Sequence, residues 1–411
     1  MTLNSLIYLF GGVLSAISPY VILSYIAKNL SVEQVGYLAL FQTIILMISS
    51  LVNLNTSSAI ERYYYSADEN RNQFVVFSFA TASFIFLTLL LAVFIASQLL
   101  SNIIDIKNQH IFIAIILGYL SYIYTLKLLL YQINFEPIKY VILQLLNAVL
   151  PLLSFFGILY LNDNIFDNRI ASLIISISLV ATISVVSLYR KDIKKLTVIK
   201  QSTITKVLSY STPLIFNLLL NLANLLVLRF LVNYYTDLSI TGVFMATFQV
   251  SMLASFVVDA INKSYSPYAI RSLTSKKLSD LSNLRKLQKI LICVAFFGLV
   301  LAYISSNLLV EFVLGAKYND NGNTLFILLL SHIFQGISYI FLPYILIKNQ
   351  TLLVSIANFI SCLFLVLSIF TVSTDLDVVL VAKIYALHKF IYLLLILYFV
   401  KIKLGTTKVG F

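Results

Sequence analysis

The feature that most constrains this chain is a succession of long apolar stretches separated by short polar ones. An apolar stretch of about 20 residues crosses the hydrocarbon core of a bilayer as a helix, because a helix satisfies all its backbone hydrogen-bonding groups internally. The sequence therefore predicts an all-α integral membrane protein with twelve transmembrane helices. The predicted spans are residues 5–27, 35–57, 74–99, 110–133, 138–161, 169–189, 207–232, 239–262, 287–310, 323–346, 352–372 and 378–400.

The composition agrees with this interpretation and places the function among the helices. The chain is 60% hydrophobic and 11% charged, whereas soluble domains carry about 25% charged residues. No segment outside the spans is long enough for a separate soluble domain. The two cysteines, Cys293 and Cys362, lie in separate apolar stretches, which favours core packing over a metal site or a disulfide.

The distribution of charge predicts the orientation of the chain. Alternate loops and the C-terminal tail hold 20 of the 28 basic residues, and the opposite loops hold only Lys28, Lys107, Arg169 and Lys317. Basic residues concentrate on the cytoplasmic side of membrane proteins, so both termini are expected to be cytoplasmic. The net charge of +12 reflects this bias, and a nucleic-acid partner is not expected.

An internal repeat predicts two halves. "GYLALFQ" begins at Gly36 and "GVFMATFQ" at Gly242, and in each case an asparagine follows thirteen residues after the glutamine. The basic segment 190–206 separates the first six spans from the last six. Two pseudo-symmetric six-helix bundles are therefore expected, related by an axis along the membrane normal. The predicted division is an N-terminal bundle (1–189), a cytoplasmic linker (190–206), a C-terminal bundle (207–403) and a cytoplasmic tail (404–411).

The last span carries charged residues at a depth where charge is costly. Tyr385, His388, Lys389 and Tyr392 follow an i, i+3, i+4, i+7 spacing and form one polar stripe, with Lys383 off the stripe. A charge near the bilayer midplane costs about 2.5 to 3.5 kcal/mol or more. Lys389 is about eleven residues, or roughly 16 Å, from either end of the span, which is too far for its amine to snorkel to the surface.

Other spans carry further polar groups. Span 7 has Asn217, Asn221 and Asn224 on one face and Arg229 near its outer end, and span 8 has Asp259. The asparagines are equally compatible with a cavity lining and with ordinary hydrogen bonds between helices. Arg229 and Lys383 are both close enough to the outer surface to snorkel. Asp259 is a candidate for ion or proton coupling, or alternatively a salt-bridge partner of a cavity base.

Several segments together resemble a known family. "LSVEQVGYLALFQ" follows span 1, "ERYYYSADENRNQF" follows span 2, and "SYSTPLIFNLLLNLANLLVLRFLVNYYTDLSITGVFMATFQ" covers spans 7 and 8. These segments resemble polysaccharide flippases of the multidrug/oligosaccharidyl-lipid/polysaccharide (MOP) superfamily, in particular the O-antigen and capsule repeat-unit flippases called Wzx. The family often has an acidic residue directly before the arginine of span 7, whereas here Leu228 precedes Arg229.

The resemblance implies a transporter rather than an enzyme. Its cargo would be an undecaprenyl-pyrophosphate-linked oligosaccharide, turned from the inner to the outer leaflet of the bacterial cytoplasmic membrane. The resemblance also implies that the protein contacts membrane lipids and that other polysaccharide assembly proteins are its partners. Alternating access of the two bundles, coupled to an ion gradient, is the expected mechanism.

Phosphate is bound by fixed positive charge, and sugars by amides, hydroxyls and aromatic rings, so the polar span residues suit this cargo. The predicted coupling residues are Asp259 and His388. The predicted substrate-binding residues are Arg229, Lys383, His388, Lys389, Tyr385, Tyr392, Asn217, Asn221 and Asn224.

The sequence also argues against other classes of function. It contains no P-loop, glycine-rich nucleotide turn, HExxH motif or cysteine cluster, so ATP hydrolysis, metal chemistry and a bound cofactor are not expected. A polysaccharide polymerase would carry a long outer loop, whereas every outer loop here is short. A drug or cation exporter of the same superfamily would be expected to place acids in its cavity, where this chain has only Asp259.

Overall fold

A computed structural model describes most of the chain. The described residues are 18–63, 71–104, 106–190, 199–275, 277–348, 350–372 and 376–403, and within them the secondary structure is helical and contains no strand. The predicted all-α class is therefore confirmed. In chain order the α-helices are α1 (residues 18–29), α2 (Val32–Asn53), α3 (Thr56–Tyr63), α4 (Arg71–Ile104), α5 (Asn108–Ile133), α6 (Pro137–Leu159), α7 (Ile165–Leu188), α8 (Gln201–Leu226), α9 (Val232–Tyr235), α10 (Leu238–Ser275), α11 (Leu278–Leu314), α12 (Gly322–Ile347), α13 (Thr351–Thr371) and α14 (Val378–Tyr398).

Eleven helices in the described part of the chain are long and apolar enough to cross a membrane. They correspond to predicted spans 2 to 12. The predicted first span, residues 5–27, lies partly outside the described residues, and its second half coincides with α1. The protein is therefore a multi-pass membrane protein whose helices follow the apolar stretches of the sequence.

Two helices extend well beyond the spans that hydropathy predicts. Span 8 was expected to end at residue 262 and span 9 to begin at residue 287, but α10 continues to Ser275 and α11 starts at Leu278. Hydropathy detects only the part of a helix that lies in hydrocarbon. The polar extensions stay helical because their few apolar residues, Tyr265, Ala269 and Leu284, are buried in a shared core cluster.

The structure divides into two compact units, residues 1–222 and 223–411. The dividing point lies within α8, because the first part of this helix bonds to helices of the first unit. The Thr203 hydroxyl donates to the Gln73 side-chain oxygen at 2.8 Å, and the Ser211 hydroxyl donates to the Asn55 carbonyl at 3.3 Å. Most of the predicted linker, residues 191–198, lies outside the described residues, so the predicted domain boundaries stay a prediction.

Within the first unit, a close helix contact depends on one glycine. Helix α2 packs along α5, and α6 packs along α7. A Cβ atom at Gly118 of α5 would lie 2.6 Å from Ile48 Cβ and 2.9 Å from the Ile45 carbonyl oxygen of α2. The two backbones approach this closely because position 118 has no side chain.

Within the second unit, α12 is the central helix. It packs against α10, α11 and α14, and α14 also packs against α13. A helix surrounded in this way must bury its polar side chains against its neighbours rather than against lipid. The polar residues of α10, α12 and α14 consequently meet inside this unit.

Candidate functional site

Lys389 lies among the helices of the second unit, in the part of the chain where the structure places no carboxylate partner for it. Its side chain, on α14, is half-buried, and its Nζ atom is 5.3 Å from the centroid of the Tyr385 ring, one helical turn earlier. Within the described residues no carboxylate forms an ion pair with this amine. A cation over an aromatic face gains about 0.5 to 2 kcal/mol, which offsets only part of the cost of removing an amine from water. The amine is therefore available to an anionic ligand.

His332 of α12 belongs to the surroundings of Lys389 and was not predicted from the sequence. Only 3% of its surface is exposed, and it lies within electrostatic range of the Lys389 amine. Its Nε2 atom is 3.1 Å from the Ser251 hydroxyl oxygen of α10. His332 is part of the apolar run "LLLSHIFQ". An ionisable side chain at membrane depth is energetically costly, and this reasoning, which singled out Lys389, could also have identified His332 from the sequence.

The direction of the hydrogen bonds assigns the tautomer of His332. The Ser251 hydroxyl donates its proton to the Phe248 carbonyl oxygen at 2.7 Å, so its oxygen accepts a proton from Nε2 of His332. In the neutral imidazole, Nδ1 is then a bare acceptor. This Nδ1 atom is buried and has no hydrogen-bond partner in the described part of the chain. A buried acceptor of this kind is suited to a hydroxyl group of a ligand.

Aromatic rings connect the groups around Lys389. The Phe248 ring centroid lies 6.1 Å from that of His332 and 5.4 Å from that of Tyr385, in the latter case edge to face. The Tyr385 ring centroid is in turn 5.9 Å from that of His388. These rings and the Lys389 amine form what we call the cationic cluster, defined by Phe248, Ser251, His332, Tyr385, His388 and Lys389.

His388 of α14 is hydrogen-bonded to α13. Its side chain is 1% exposed, and its Nδ1 atom donates to the Ser361 carbonyl oxygen of α13 at 2.8 Å. A carbonyl can only accept, so Nε2 carries the lone pair of the neutral imidazole. His388 thus has a structural role in joining α14 to α13, whatever else it does. Tyr392, the last residue of the predicted stripe, is half-buried and packs against the core cluster that contains Tyr344.

Arg229 lies at a helix irregularity close to this cluster. The chain between α8 and α9 forms a π-helical segment, Val227–Leu231, with Arg229 at its centre. π-Helical turns interrupt α-helices frequently at functional sites. The arginine is half-buried and within electrostatic range of Tyr385, and Leu228, which takes the place of the acid common in the resembling family, is buried.

The three predicted asparagines differ in what the structure describes. The Asn224 side-chain nitrogen donates to the Asn358 side-chain oxygen of α13 at 3.2 Å, which links α8 to α13. The Asn224 oxygen is buried and has no hydrogen-bond partner within the described residues. The backbones of Asn217 and Asn221 are helical in α8, but their side chains lie outside the described residues.

Asp259 and Lys383 lie away from the centre of the cluster. Asp259 is half-buried on α10, within electrostatic range of Tyr339 of α12, whose hydroxyl oxygen accepts from the Gln335 amide at 2.6 Å. Lys383 is exposed on a different face of α14 from the buried residues Tyr385 and His388. In the described part of the chain, no three His, Cys, Asp or Glu side chains lie together as a metal site would require.

Comparisons with known proteins identify the family of the chain and agree with its fold. A family model described as "Polysaccharide biosynthesis protein" matches residues 1–273. A Haemophilus influenzae protein of the Lsg locus is 25% identical over 281 residues, which are 67% of each chain. An uncharacterized membrane protein of the same organism is 25% identical over 289 residues, or 68% of each chain.

Two solved structures share the fold over most of its length. A multidrug resistance MATE family transporter of the MOP superfamily, in an inward-facing conformation, covers 95% of this chain and 94% of its own, with a TM-score of 0.77 and 12% identity. The lipid II flippase MurJ, in an inward closed conformation, covers 96% of this chain and 87% of its own, with a TM-score of 0.74 and 16% identity. The chain therefore shares the fold of these two membrane proteins and belongs to the polysaccharide biosynthesis protein family.

Proposed function

We propose that this protein is a flippase that carries undecaprenyl-pyrophosphate-linked oligosaccharide repeat units, such as those of O antigen, capsule or exopolysaccharide, from the inner to the outer leaflet of the bacterial cytoplasmic membrane. The observation that carries the proposal is the Lys389 amine, which lies against the Tyr385 ring, within electrostatic range of His332 and His388, and without a carboxylate partner in the described residues. The family match and the fold support a transporter of lipid-linked material.

The chemistry of the cluster suits an anion attached to sugars. A lysine without a carboxylate partner attracts a pyrophosphate or an acidic sugar more strongly in a low-dielectric interior than it would in water. The Nδ1 atom of His332 is a hydrogen-bond acceptor suited to a hydroxyl group of the cargo, and the buried Tyr385 ring holds the Lys389 amine from one side. Arg229 adds a second positive charge in electrostatic range of Tyr385.

The proposed mechanism is alternating access, with both termini on the cytoplasmic side. Asp259 is the proposed coupling residue, because it is an ionisable group at membrane depth close to the cluster helices. His388 remains a second candidate for coupling in addition to its hydrogen bond to α13. Other proteins of polysaccharide assembly are possible partners that receive the translocated units.

A lipid analysis of the native host tests the proposal. The gene is deleted, restored, or restored as Lys389→Ala, and undecaprenyl-linked oligosaccharide is quantified together with surface polysaccharide. We expect the deletion to lose surface polymer and accumulate single lipid-linked repeat units, and the Lys389→Ala chain to be present in the membrane without correcting either defect. Unchanged polymer and unchanged lipid intermediates in the deletion strain would overturn the flippase.

A small-molecule exporter is the second candidate, because the MATE transporter shares the fold over nearly the whole chain. An exporter of cationic drugs would place carboxylates rather than a lysine and a histidine in its cavity. Drug susceptibility of the same strains separates the two functions. A deletion that becomes drug-sensitive with unchanged lipid intermediates would favour the exporter.

A further inference from the structure

The second unit contains an apolar cavity that the cationic cluster does not use. The cavity has a volume of about 280 Å³ and lies between α10, α11 and α12. It exists because residues with little or no side chain face it from all three helices, namely Ala254, Ala295, Gly298, Ala302 and Gly336. Apart from Asn262, Tyr265 and Tyr339, its lining is entirely apolar.

The cavity is open on one side. Val257 of α10 and Val294 of α11 both line it, and they are 60% and 51% exposed. Both residues belong to apolar stretches long enough to cross the membrane, so the open side of the cavity is bordered by apolar side chains at membrane depth. An apolar cavity is not a favourable site for water, which needs two to four polar partners. Hydrocarbon is the chemistry that fits it.

The cavity and the cationic cluster share two helices, α10 and α12. On α10, Ala254 follows Ser251 of the cluster by three residues, and on α12, Ile333 follows His332 directly. From the level of Ala254 the cavity continues along α10 to Tyr265, which is about 11 residues or roughly 16 Å. A molecule whose anionic group binds the cluster therefore has an apolar channel beside it, running toward the predicted cytoplasmic end of the bundle.

We propose that this cavity binds the polyprenyl chain of the lipid-linked cargo while the cationic cluster binds its pyrophosphate, an inference that rests on the proposed function. A bulk phospholipid would fill the cavity with an acyl chain but has no reason to place its phosphate at the depth of Lys389. A polyprenyl pyrophosphate held at the cluster has its chain attached beside α10 and α12, the two helices that also line the cavity. Because the cavity and the cluster share helices, we expect the cavity to bind the polyprenyl chain of the cargo in preference to the acyl chain of a bulk phospholipid.

Photolabelling of the full-length protein in lipid nanodiscs tests this site. One probe is undecaprenyl pyrophosphate with a diazirine on its terminal isoprene unit, and the other is phosphatidylglycerol with the same group at the end of one acyl chain. We expect the polyprenyl probe, and not the phosphatidylglycerol probe, to label α10, α11 or α12 along the cavity. Equal labelling of the cavity by both probes would overturn the proposal in favour of bulk lipid.

Two matched glycine variants make the test specific. A Cβ atom at Gly298, which lines the cavity, would meet nothing within 4 Å, and the same is true of Gly157 on α6. The first carbon of a leucine side chain is therefore accommodated at both positions, but only Gly298→Leu adds its side chain at the cavity. Excluding one or two methylene equivalents of the chain should lower labelling by the polyprenyl probe about ten-fold in Gly298→Leu, with Gly157→Leu unchanged.

The labelling results test binding of the polyprenyl chain in the cavity separately from the flippase function. Labelling is measured without transport, so a labelled cavity that Gly298→Leu closes would stand even if the deletion strain showed no lipid defect. Unchanged labelling in Gly298→Leu would overturn the polyprenyl site. If the deletion strain nevertheless accumulated lipid-linked units, the proposed flippase function would still be supported, but this cavity would not be the binding site of the polyprenyl chain.

Discussion

The Nε2 atom of His332 lies 3.1 Å from the Ser251 hydroxyl oxygen and joins α12 to α10. Hydrogen bonds between membrane helices contribute about 0.6 kcal/mol on average and about 1.7 at most. We therefore expect a double-mutant cycle of His332→Phe and Ser251→Ala, measured by unfolding in detergent, to give an interaction free energy of this size. Within the described residues, the Ser305 hydroxyl of α11 bonds only to the Leu301 carbonyl of its own helix, so Ser305→Ala should be additive with His332→Phe. Additivity of the Ser251 pair as well would contradict the bond.

Lys389 should matter for transport and not for folding. We expect Lys389→Met to lower the transport rate at least about ten-fold, because a charge-assisted contact to phosphate is worth more than about 1.4 kcal/mol. Folding stability should be unchanged or higher, since a charge without a carboxylate partner is replaced by an apolar chain of similar length. Reconstituted flipping of a fluorescent lipid-linked saccharide measures the rate, and thermal unfolding measures the stability.

The exposed Lys383 on the same helix provides the comparison. Lys383→Met removes a charge from α14 outside the buried face that carries His388, so we expect a smaller loss of transport than in Lys389→Met. Equal losses in the two variants would show that Lys383 also belongs to the site, as the sequence predicts. Full transport in Lys389→Met would remove the lysine from the mechanism.

His388 should be needed for the contact between α14 and α13. His388→Leu removes the donor to the Ser361 carbonyl and should lower the free energy of unfolding by about 1 kcal/mol, whereas His388→Asn retains an N–H donor and should lose less. Denaturant titration of the purified variants measures the difference. Transport by the folded His388→Asn protein then tests coupling: retained gradient dependence limits His388 to structure, and its loss supports a proton-carrying role.

Asp259 should control the response to an ion gradient. We expect Asp259→Asn to make flipping in proteoliposomes independent of an imposed proton or sodium gradient, because the amide can neither bind nor release a cation at this depth. Asp320, which is exposed between α11 and α12, gives the control, and Asp320→Asn should respond like the wild type. An unchanged gradient response in Asp259→Asn would leave this residue as a structural partner of its neighbours.

Gly118 should tolerate no side chain. A Cβ atom there would lie 2.6 Å from Ile48 Cβ of α2, so Gly118→Ala must push the two helices apart at a cost of about 1 to 3 kcal/mol. Gly157→Ala, where a Cβ atom meets nothing within 4 Å, should be neutral or stabilising, because alanine has the higher helix propensity. Thermal unfolding of the two variants in the same detergent compares them.

Hydropathy is a local property, which explains how much of this fold was predictable. Eleven predicted spans coincide with long apolar helices because each span must satisfy its own backbone hydrogen bonds in hydrocarbon. The family resemblance could also be recognised from the sequence alone, because it depends on short contiguous segments such as "LSVEQVGYLALFQ". The extensions of α10 and α11 were missed, because their helical state depends on contacts of Tyr265 and Leu284 with a distant part of the chain.

By itself, then, the sequence determined the membrane class, the spans and the costly placement of His388 and Lys389 at membrane depth, since these follow from composition and helical periodicity. Only the tertiary structure decided which groups meet. It brought His332, bonded to Ser251, within electrostatic range of the Lys389 amine, and it left Lys383 exposed. The physical reason is that a polar group in hydrocarbon has to find its partner on another helix, and the identity of that helix is set by packing rather than by the order of residues.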